Sequence, residues 1–315
     1  MSRHVHLASV KPWWRWWGVV GVIAGAQAAP VGAFGLLEKS THWDITKPIE
    51  FTVNLAHVPA SFTSEQYVDA VRTALDRWRQ VDTAELPFRI GGVITDESQT
   101  TPEEDGVNMI AWKPGFVPRD LVAGKAFPFE SECDIILAPR PPFGLIDIQG
   151  IVMHELGHCM GLAHSTAPGI MTKFTGLPAV GYDDRVAVSL RYPNRRKPLE
   201  EDTARVQGKV TRKGKPVIGA VIQVFDGATG RMLVSGFSGL VEAQQRRATS
   251  GLFELPGLPP GRHWLQVQPM DVFVAADPDS YGVPGPAPEP FATRRVELPE
   301  MKAGRQYRVD TIAVE

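Results

Sequence analysis

The chain has 315 residues, 43% of them hydrophobic, with 27 prolines and a formal net charge of −2. Single cores stop growing near ~250–300 residues, so this length implies two domains. The near-neutral charge leaves no footprint for nucleic acid, and none for a strongly charged substrate or membrane surface.

Residues 1–28 read as a secretory signal peptide. Arg3, Lys11 and Arg15 supply the positive end, Trp16 to Gly25 is a short apolar run, and Ala26-Gln27-Ala28 is a small-x-small cleavage site. The run falls short of the ~20 apolar residues of a membrane span, so no stable span is expected after cleavage. Trp13, Trp14, Trp16 and Trp17 leave a second reading open, an uncleaved interfacial anchor. No cysteine follows the run, which argues against a lipoprotein anchor. The chain is expected to be secreted or periplasmic.

Residues 29–193 are read as one domain. Ile49 to Leu55 alternates apolar and polar side chains, as a half-buried strand does. Thr63 to Val81 reads as an amphipathic helix. Thr63 and Gln66 form a capping-box pattern, and Val68, Val71, Leu75 and Trp78 make one apolar stripe. Phe88 to Ile94 is a second predicted strand. The acidic loop Asp96 to Asp105 lacks the spacing of a calcium loop and is read as a solvated connection, so Ca2+ has no clear motif behind it. Val107 to Trp112 is a third predicted strand. Pro114, Pro118 and Gly124 then mark a long loop. Cys133 to Ala138 is strand-like and is stopped by Pro139-Arg140-Pro141-Pro142. Asp147 can cap the helix that follows, with Ile151, Val152, Leu156 and Met160 on its buried face.

That helix carries His154-Glu155-Leu156-Gly157-His158. Histidines four apart lie one turn above each other on one helical face, so their imidazoles can share one tetrahedral metal. Glu155 follows the first ligand and can act as general base on a metal-activated water. Gly161 can end the helix in the left-handed conformation, and the chain then returns His164 as a third ligand, leaving a fourth position open. The chain has eight histidines, and three fall on these fixed positions, which makes a chance arrangement a poor explanation. The two cysteines, Cys133 and Cys159, fit a disulfide in an exported protein. A metal role for Cys159 is the competing reading. Its place about 100° around the helix from His158 turns it away from the metal and favours the bridge.

The stretch His154 to His164 resembles the metzincin metalloprotease signature, H-E-x-x-H-x-x-G-x-x-H, with every fixed position filled. Ser165 after the third histidine resembles the matrixin branch, and Gly169-Ile170-Met171 resembles the Met-turn. In that family the Met-turn runs beneath the ligands, which implies a packing role for Met171. Asp183 to Pro193 resembles the closing helix of matrixin-like domains, with Asp183 as a natural N-cap and Pro193 as a stop. The likeness covers about residues 48–193. It implies an α+β catalytic domain: a twisted mixed sheet, a backing helix, the zinc helix and a closing helix. It implies one catalytic Zn2+ on His154, His158 and His164, with Glu155 as base. It also implies that an extended substrate pairs with an edge strand near Cys133–Ala138, walled by the loop Thr172 to Gly181. Three departures matter. No cysteine-switch segment precedes the domain, so thiol latency is not expected. Lys173 stands where other branches place a tyrosine ligand. The pattern for a second, structural zinc is not evident.

Residues 194–204, charged and containing Pro198, read as a linker. Residues 205–315 change to short strands and glycine turns. The patterns at Gly208–Val210, Gly214–Ala220 and Gly251–Gly261 resemble the carboxypeptidase regulatory-like, transthyretin-type β-sandwich. Asp271 to Pro290 is proline-rich and is expected to be a surface loop. His263, alone among apolar neighbours, is expected to be a satisfied structural histidine.

These readings predict a secreted, monomeric zinc metalloendopeptidase that hydrolyses internal bonds of protein or peptide substrates. The alternative reading is a binding or adhesion protein that works through the β-sandwich and carries a vestigial protease domain.

Overall fold

A computed structural model describes residues 35–37, 41, 43–116, 123–138, 144–173, 179–239, 250–283 and 287–315. The predicted signal segment lies outside them. No helix among the described residues is long and apolar enough to cross a membrane. The architecture is α+β, with a mixed sheet and helices in the first half and paired β-sheets in the second.

The first sheet holds β1 (Ile49–Asn54), β2 (Phe88–Ile94), β3 (Asn108–Trp112), β4 (Gly124–Pro128) and β5 (Cys133–Leu137), in the order β2-β1-β3-β5-β4. All neighbours run parallel except β4, which is antiparallel to β5. Every residue of β3 and β5 is buried, as expected of central strands covered on both faces. The apolar runs Met109–Trp112 and Ile135–Leu137 are the sequence mark of that position, with Asn108 and Asp134 buried among them. Trp43, Phe51 and Phe88 close one end of the core, with ring centroids 5.5–5.9 Å apart in edge-to-face pairs.

Helix α1 (Ser64–Arg79) backs the sheet. Its N-terminus carries the predicted capping box: Gln66 N–H donates to Thr63 Oγ1 at 3.2 Å, and Thr63 N–H donates to Gln66 Oε1 at 2.9 Å. Its buried stripe holds Tyr67, Val71, Leu75 and Trp78, with Val68 at the margin. Trp78 Nε1–H donates to the Met153 carbonyl at 2.9 Å, which ties α1 to helix α2 (Leu145–Cys159).

Two expectations about the sheet are corrected. Gly124, read as part of a loop, opens strand β4, and β4 rather than Cys133–Ala138 is the edge. The signal in Gly-Lys-Ala-Phe-Pro is weak because glycine and proline bound it, and both suit an edge strand. Gly124 is needed because β4 runs hard against α2: a Cβ there would sit 2.7 Å from Ile151 Cγ2.

Helix α3 (Tyr182–Arg191) follows, then α4 (Leu199–Asp202). Asp183 is not the N-cap of α3. Gly181 is, and Asp184 at the third helical position accepts its N–H at 2.7 Å. A side chain at Gly181 would collide with the Pro168 carbonyl at 2.4 Å, so the helix begins where only glycine fits. Asp147 does cap α2, but from the third helical position, accepting Gly144 N–H at 2.7 Å. The segment 194–204, expected to be a linker, is ordered against the first half: Asn194 N–H donates to the Thr83 carbonyl, Lys197 pairs with Asp82, and Leu199 is buried.

The second half has two sheets. One holds β6 (Ala204–Arg212), β7 (Lys215–Pro216), β10 (Leu252–Leu258), β13 (Gln306–Arg308) and β14 (Ile312–Val314), with β6 central. The other runs β12-β11-β8-β9, from Arg294–Glu297, His263–Gln268, Val221–Asp226 and Met232–Phe237. Val206, Val210, Phe253 and Leu255 from the first pack with Ile222, Val224, Leu265 and Val267 from the second. The segment 271–290 departs from the expected surface loop. It forms α5 (Val272–Ala276) and a 3-10 turn (Pro278–Tyr281), and it buries Val274, Tyr281 and Val283.

The halves share one core. Val186 of α3 lies so close to Gly257 that a Cβ there would come within 2.5 Å of its methyls. Tyr182 Oη–H donates to the Gly257 carbonyl at 2.6 Å.

Candidate metal centre

Helix α2 ends in a Schellman motif, which aims the next residues back at the helix. Gly161 N–H donates to the His158 carbonyl and Leu162 N–H to the Gly157 carbonyl, both at 2.9 Å. Gly161 has φ +85°, the left-handed conformation the sequence predicts for it. The turn brings His164 beside the two helical histidines.

The three rings converge on their Nε2 atoms. His154 Nε2 lies 3.1 Å from His158 Nε2 and 3.2 Å from His164 Nε2. Ligand nitrogens at ~2.0–2.1 Å in tetrahedral directions stand about 3.3 Å apart, so the donor spacing fits a single ion. Among the described residues, these three form the one cluster of His, Cys, Asp or Glu with donor atoms all within 4.8 Å. A metal ion can be held there. The acidic loop residues do something else: Asp96 Oδ1 accepts Ser98 N–H and Asp105 Oδ1 accepts Val107 N–H, local turn bonds that use their carboxylates.

Two of the three histidines have their other nitrogen fixed. His154 Nδ1 meets the Ile170 carbonyl at 2.6 Å and His158 Nδ1 meets the Leu162 carbonyl at 2.8 Å. A carbonyl can only accept, so each Nδ1 carries the proton and Nε2 keeps its lone pair for a metal. Burial holds all three histidines below their ordinary range, His164 down to about 3, so the rings stay neutral and able to ligate.

Glu155 reaches β4. Its Oε2 accepts Ala126 N–H at 2.7 Å, and burial pushes the carboxyl up to about 7. Ala123 accepts Ala138 N–H and Gly124 pairs with Leu137, a register that turns the backbone groups of Gly124 and Ala126 away from β5. The polar edge of β4 therefore runs past Glu155.

Met171 packs under the helix. A Cβ on Gly157 would sit 2.1 Å from its Sδ, so glycine at 157 is what admits the methionine. Ser165 N–H donates to the Met171 carbonyl at 2.9 Å, and Asp184 accepts the N–H groups of Ile170 and Met171 at 2.7 and 3.3 Å. The predicted Asp183 lies buried one residue earlier. It accepts the Ser165 hydroxyl at 2.6 Å and Ser235 N–H at 2.8 Å, and burial pushes it up to about 8. Asp184 is a site residue that the sequence reading missed. Its signal was the spacing back to Gly181, the capping-box offset.

Cys133 and Cys159 are joined, with a Cα–Cα distance of 5.7 Å. The bridge fastens the end of α2 to β5, and it fits a protein of an oxidising, extracellular compartment. His263 sits in the second half, where its Nε2–H donates to the Pro259 carbonyl at 2.7 Å.

No protein-family model matches the chain. No curated protein matches it either. Among solved structures, it is similar to a DUF3823 family protein from Parabacteroides merdae, at 18% identity and a TM-score of 0.21, over 36% of this chain and 45% of that one. It is also similar to wild-type OgpA from Akkermansia muciniphila, at 11% identity and a TM-score of 0.29, over 83% of this chain and 93% of that one. Likenesses at these TM-scores carry no argument, so the reading of the site stands on its own geometry.

Proposed function

We propose that the chain is a secreted zinc metalloendopeptidase of the metzincin, matrixin-like kind, hydrolysing internal peptide bonds of protein or peptide substrates. The observation that carries this reading is the convergence of three neutral imidazoles, with His154 Nε2 3.1 Å from His158 Nε2 and 3.2 Å from His164 Nε2, one residue from a buried carboxyl held near 7. Imidazole donors suit zinc among several transition metals, and the tetrahedral spacing with one open position favours it. The β4-β5 edge, the Met171 packing and the Asp184 bonds support the matrixin-like assignment.

Zinc bound at the three histidines would supply Lewis acidity and a water of lowered pKa. The chain does the rest. His154 and His158, held by the Ile170 and Leu162 carbonyls, keep Nε2 deprotonated and correctly turned. Glu155 takes a proton from the attacking water and later delivers it to the leaving amine; a carboxyl near 7 suits both transfers at neutral pH. Its hydrogen bond from Ala126 N–H fixes the carboxylate beside the edge strand. An extended peptide adds to the outward backbone groups of Gly124 and the Ala126 carbonyl, the Ala126 N–H being kept by Glu155, which lays the scissile bond past Glu155.

Glu155→Gln tests the assignment. Loss of a general base costs ~10²–10⁴-fold in rate. The expected result is that drop in kcat on casein with one zinc per chain retained. Wild-type rates in the zinc-loaded variant would remove Glu155 from the mechanism.

A further inference from the structure

We propose that the second domain completes the metal centre: its segment Asp277–Tyr281 holds the loop that carries His164, and Tyr281 is a positioning residue for that ligand. The inference rests on reading the three histidines as a metal site, and it does not require that the site cleave peptides.

The three ligands are not held alike. His154 and His158 sit on α2 and each has its Nδ1 bonded to a carbonyl of the first domain. His164 lies beyond the helix end, and its buried Nδ1 has no hydrogen-bond partner among the described residues. A metal-bound histidine lacking such a bond needs its ring plane set by something else. The second domain supplies it. His164 N–H donates to the Ser280 carbonyl at 2.9 Å. The Tyr281 ring lies 5.5 Å from the His164 ring at 58°, is itself 5% exposed, and rests edge-on against Phe237 of β9 at 6.5 Å.

The same loop is clasped from its other side. Ala163 N–H donates to the Gly35 carbonyl and Leu37 N–H to the Gly161 carbonyl. Gly35 in turn lies against the Tyr281 carbonyl so closely that a Cβ would come within 1.8 Å of its oxygen. Ser165 is bonded to Asp183 and Ser235, and Lys173, two residues past Met171, pairs with Asp277 at 2.5 Å. Second-domain groups thus touch the third ligand and the chain after it directly, and reach the chain before it through Gly35. Much of the hold is by main-chain carbonyls and a ring face.

The test uses the full chain with Co2+ as the probe, read by its visible absorption and by competition with a chelator. Outer groups that orient metal ligands typically change affinity by 10–100-fold when removed. Tyr281→Ala is expected to weaken Co2+ binding by about tenfold and to shift the Co2+ bands. Tyr281→Phe, which keeps the ring, is expected to match wild type. Trp264→Ala, which removes a ring stacked on Phe225 elsewhere in the second domain, is expected to leave the affinity unchanged. Should Tyr281→Ala not accumulate folded, Tyr281→Leu carries the same expectation, since it keeps buried volume and loses the ring face. Wild-type affinity and spectrum in folded Tyr281→Ala or Tyr281→Leu would overturn the proposal. So would an equal loss in Trp264→Ala, which would mean general loosening of the domain. Wild-type protein that takes up no Co2+ would overturn the metal reading itself, a separate and distinguishable failure.

Discussion

Gly157→Ala places a methyl where Met171 now sits. The ideal Cβ falls 2.1 Å from Met171 Sδ, against an ordinary contact of about 3.5–4.0 Å, so the methionine must retreat by roughly 1.5 Å or more. It has little room. Met171 is 1% exposed, its carbonyl takes Ser165 N–H and its N–H goes to Asp184. Overpacking of this kind costs ~1–3 kcal/mol. Alanine in a helix interior gains about 1 kcal/mol over glycine. Because a thioether adapts better than a branched side chain, the net is set near 1 kcal/mol of destabilisation. The sign reverses when the obstacle is gone. In a Met171→Ala background, Gly157→Ala keeps only the helix gain of about 1 kcal/mol. The two substitutions should therefore couple by about 2 kcal/mol. Equilibrium urea denaturation of the four metal-free proteins, with the disulfide intact, measures this. Gly157→Ala stabilising both backgrounds equally would refute the packing of Met171 beneath the helix.

Replacing Cys133 and Cys159 together by alanine opens a loop closed over a sequence separation of 26. Chain entropy sets the cost at roughly 3.5 kcal/mol, read by urea denaturation; a loss under about 1 kcal/mol would mean the bridge stabilises little. Asp183, pushed up to about 8, holds its proton in the folded chain at pH values where the unfolded chain, with the ordinary value of 3.8, has lost it. Its contribution to stability is therefore present below 3.8 and is lost as pH rises toward about 8. Asp183→Asn removes this dependence, so its thermal midpoint relative to wild type should climb with pH across that window; a constant difference would contradict the buried, protonated carboxyl. Gly124→Val should weaken the site through β4, because its Cβ would strike Ile151; hydrogen exchange at Ala126 N–H, the donor to Glu155, is expected to speed up, and unchanged exchange would count against β4 as the strand that fixes the carboxylate.

Much of the histidine cluster was legible because its chemistry is local. His154, Glu155 and His158 share one helical turn, and Gly161 and His164 follow at fixed offsets. The capping box at Thr63 and Gln66 and the buried stripe of α1 were legible for the same reason. Strand β4 was not, because an edge strand of five residues bounded by Gly124 and Pro128 carries neither alternation nor a β-branched run. Asp183 and Asp184 were read one residue out of place. Both can cap a helix, and the choice falls on Asp184 because the contact of Gly181 with Pro168 fixes the helix start. The contribution of Ser280 and Tyr281 left no mark at all. It is made by a carbonyl and a ring more than a hundred residues from His164, and a proline-rich segment gives no period that points to it.

The central claim is a zinc-dependent cleavage of internal peptide bonds at His154, His158 and His164. The direct measurement is bound zinc per chain together with new internal amino termini in denatured protein substrates, on one set of samples. The account predicts one zinc, new termini with wild type, their loss on chelation, their return with added zinc, and their absence in Glu155→Gln that still holds the metal. Cleavage that survives chelation, or zinc-loaded wild type that produces no new termini, would contradict it.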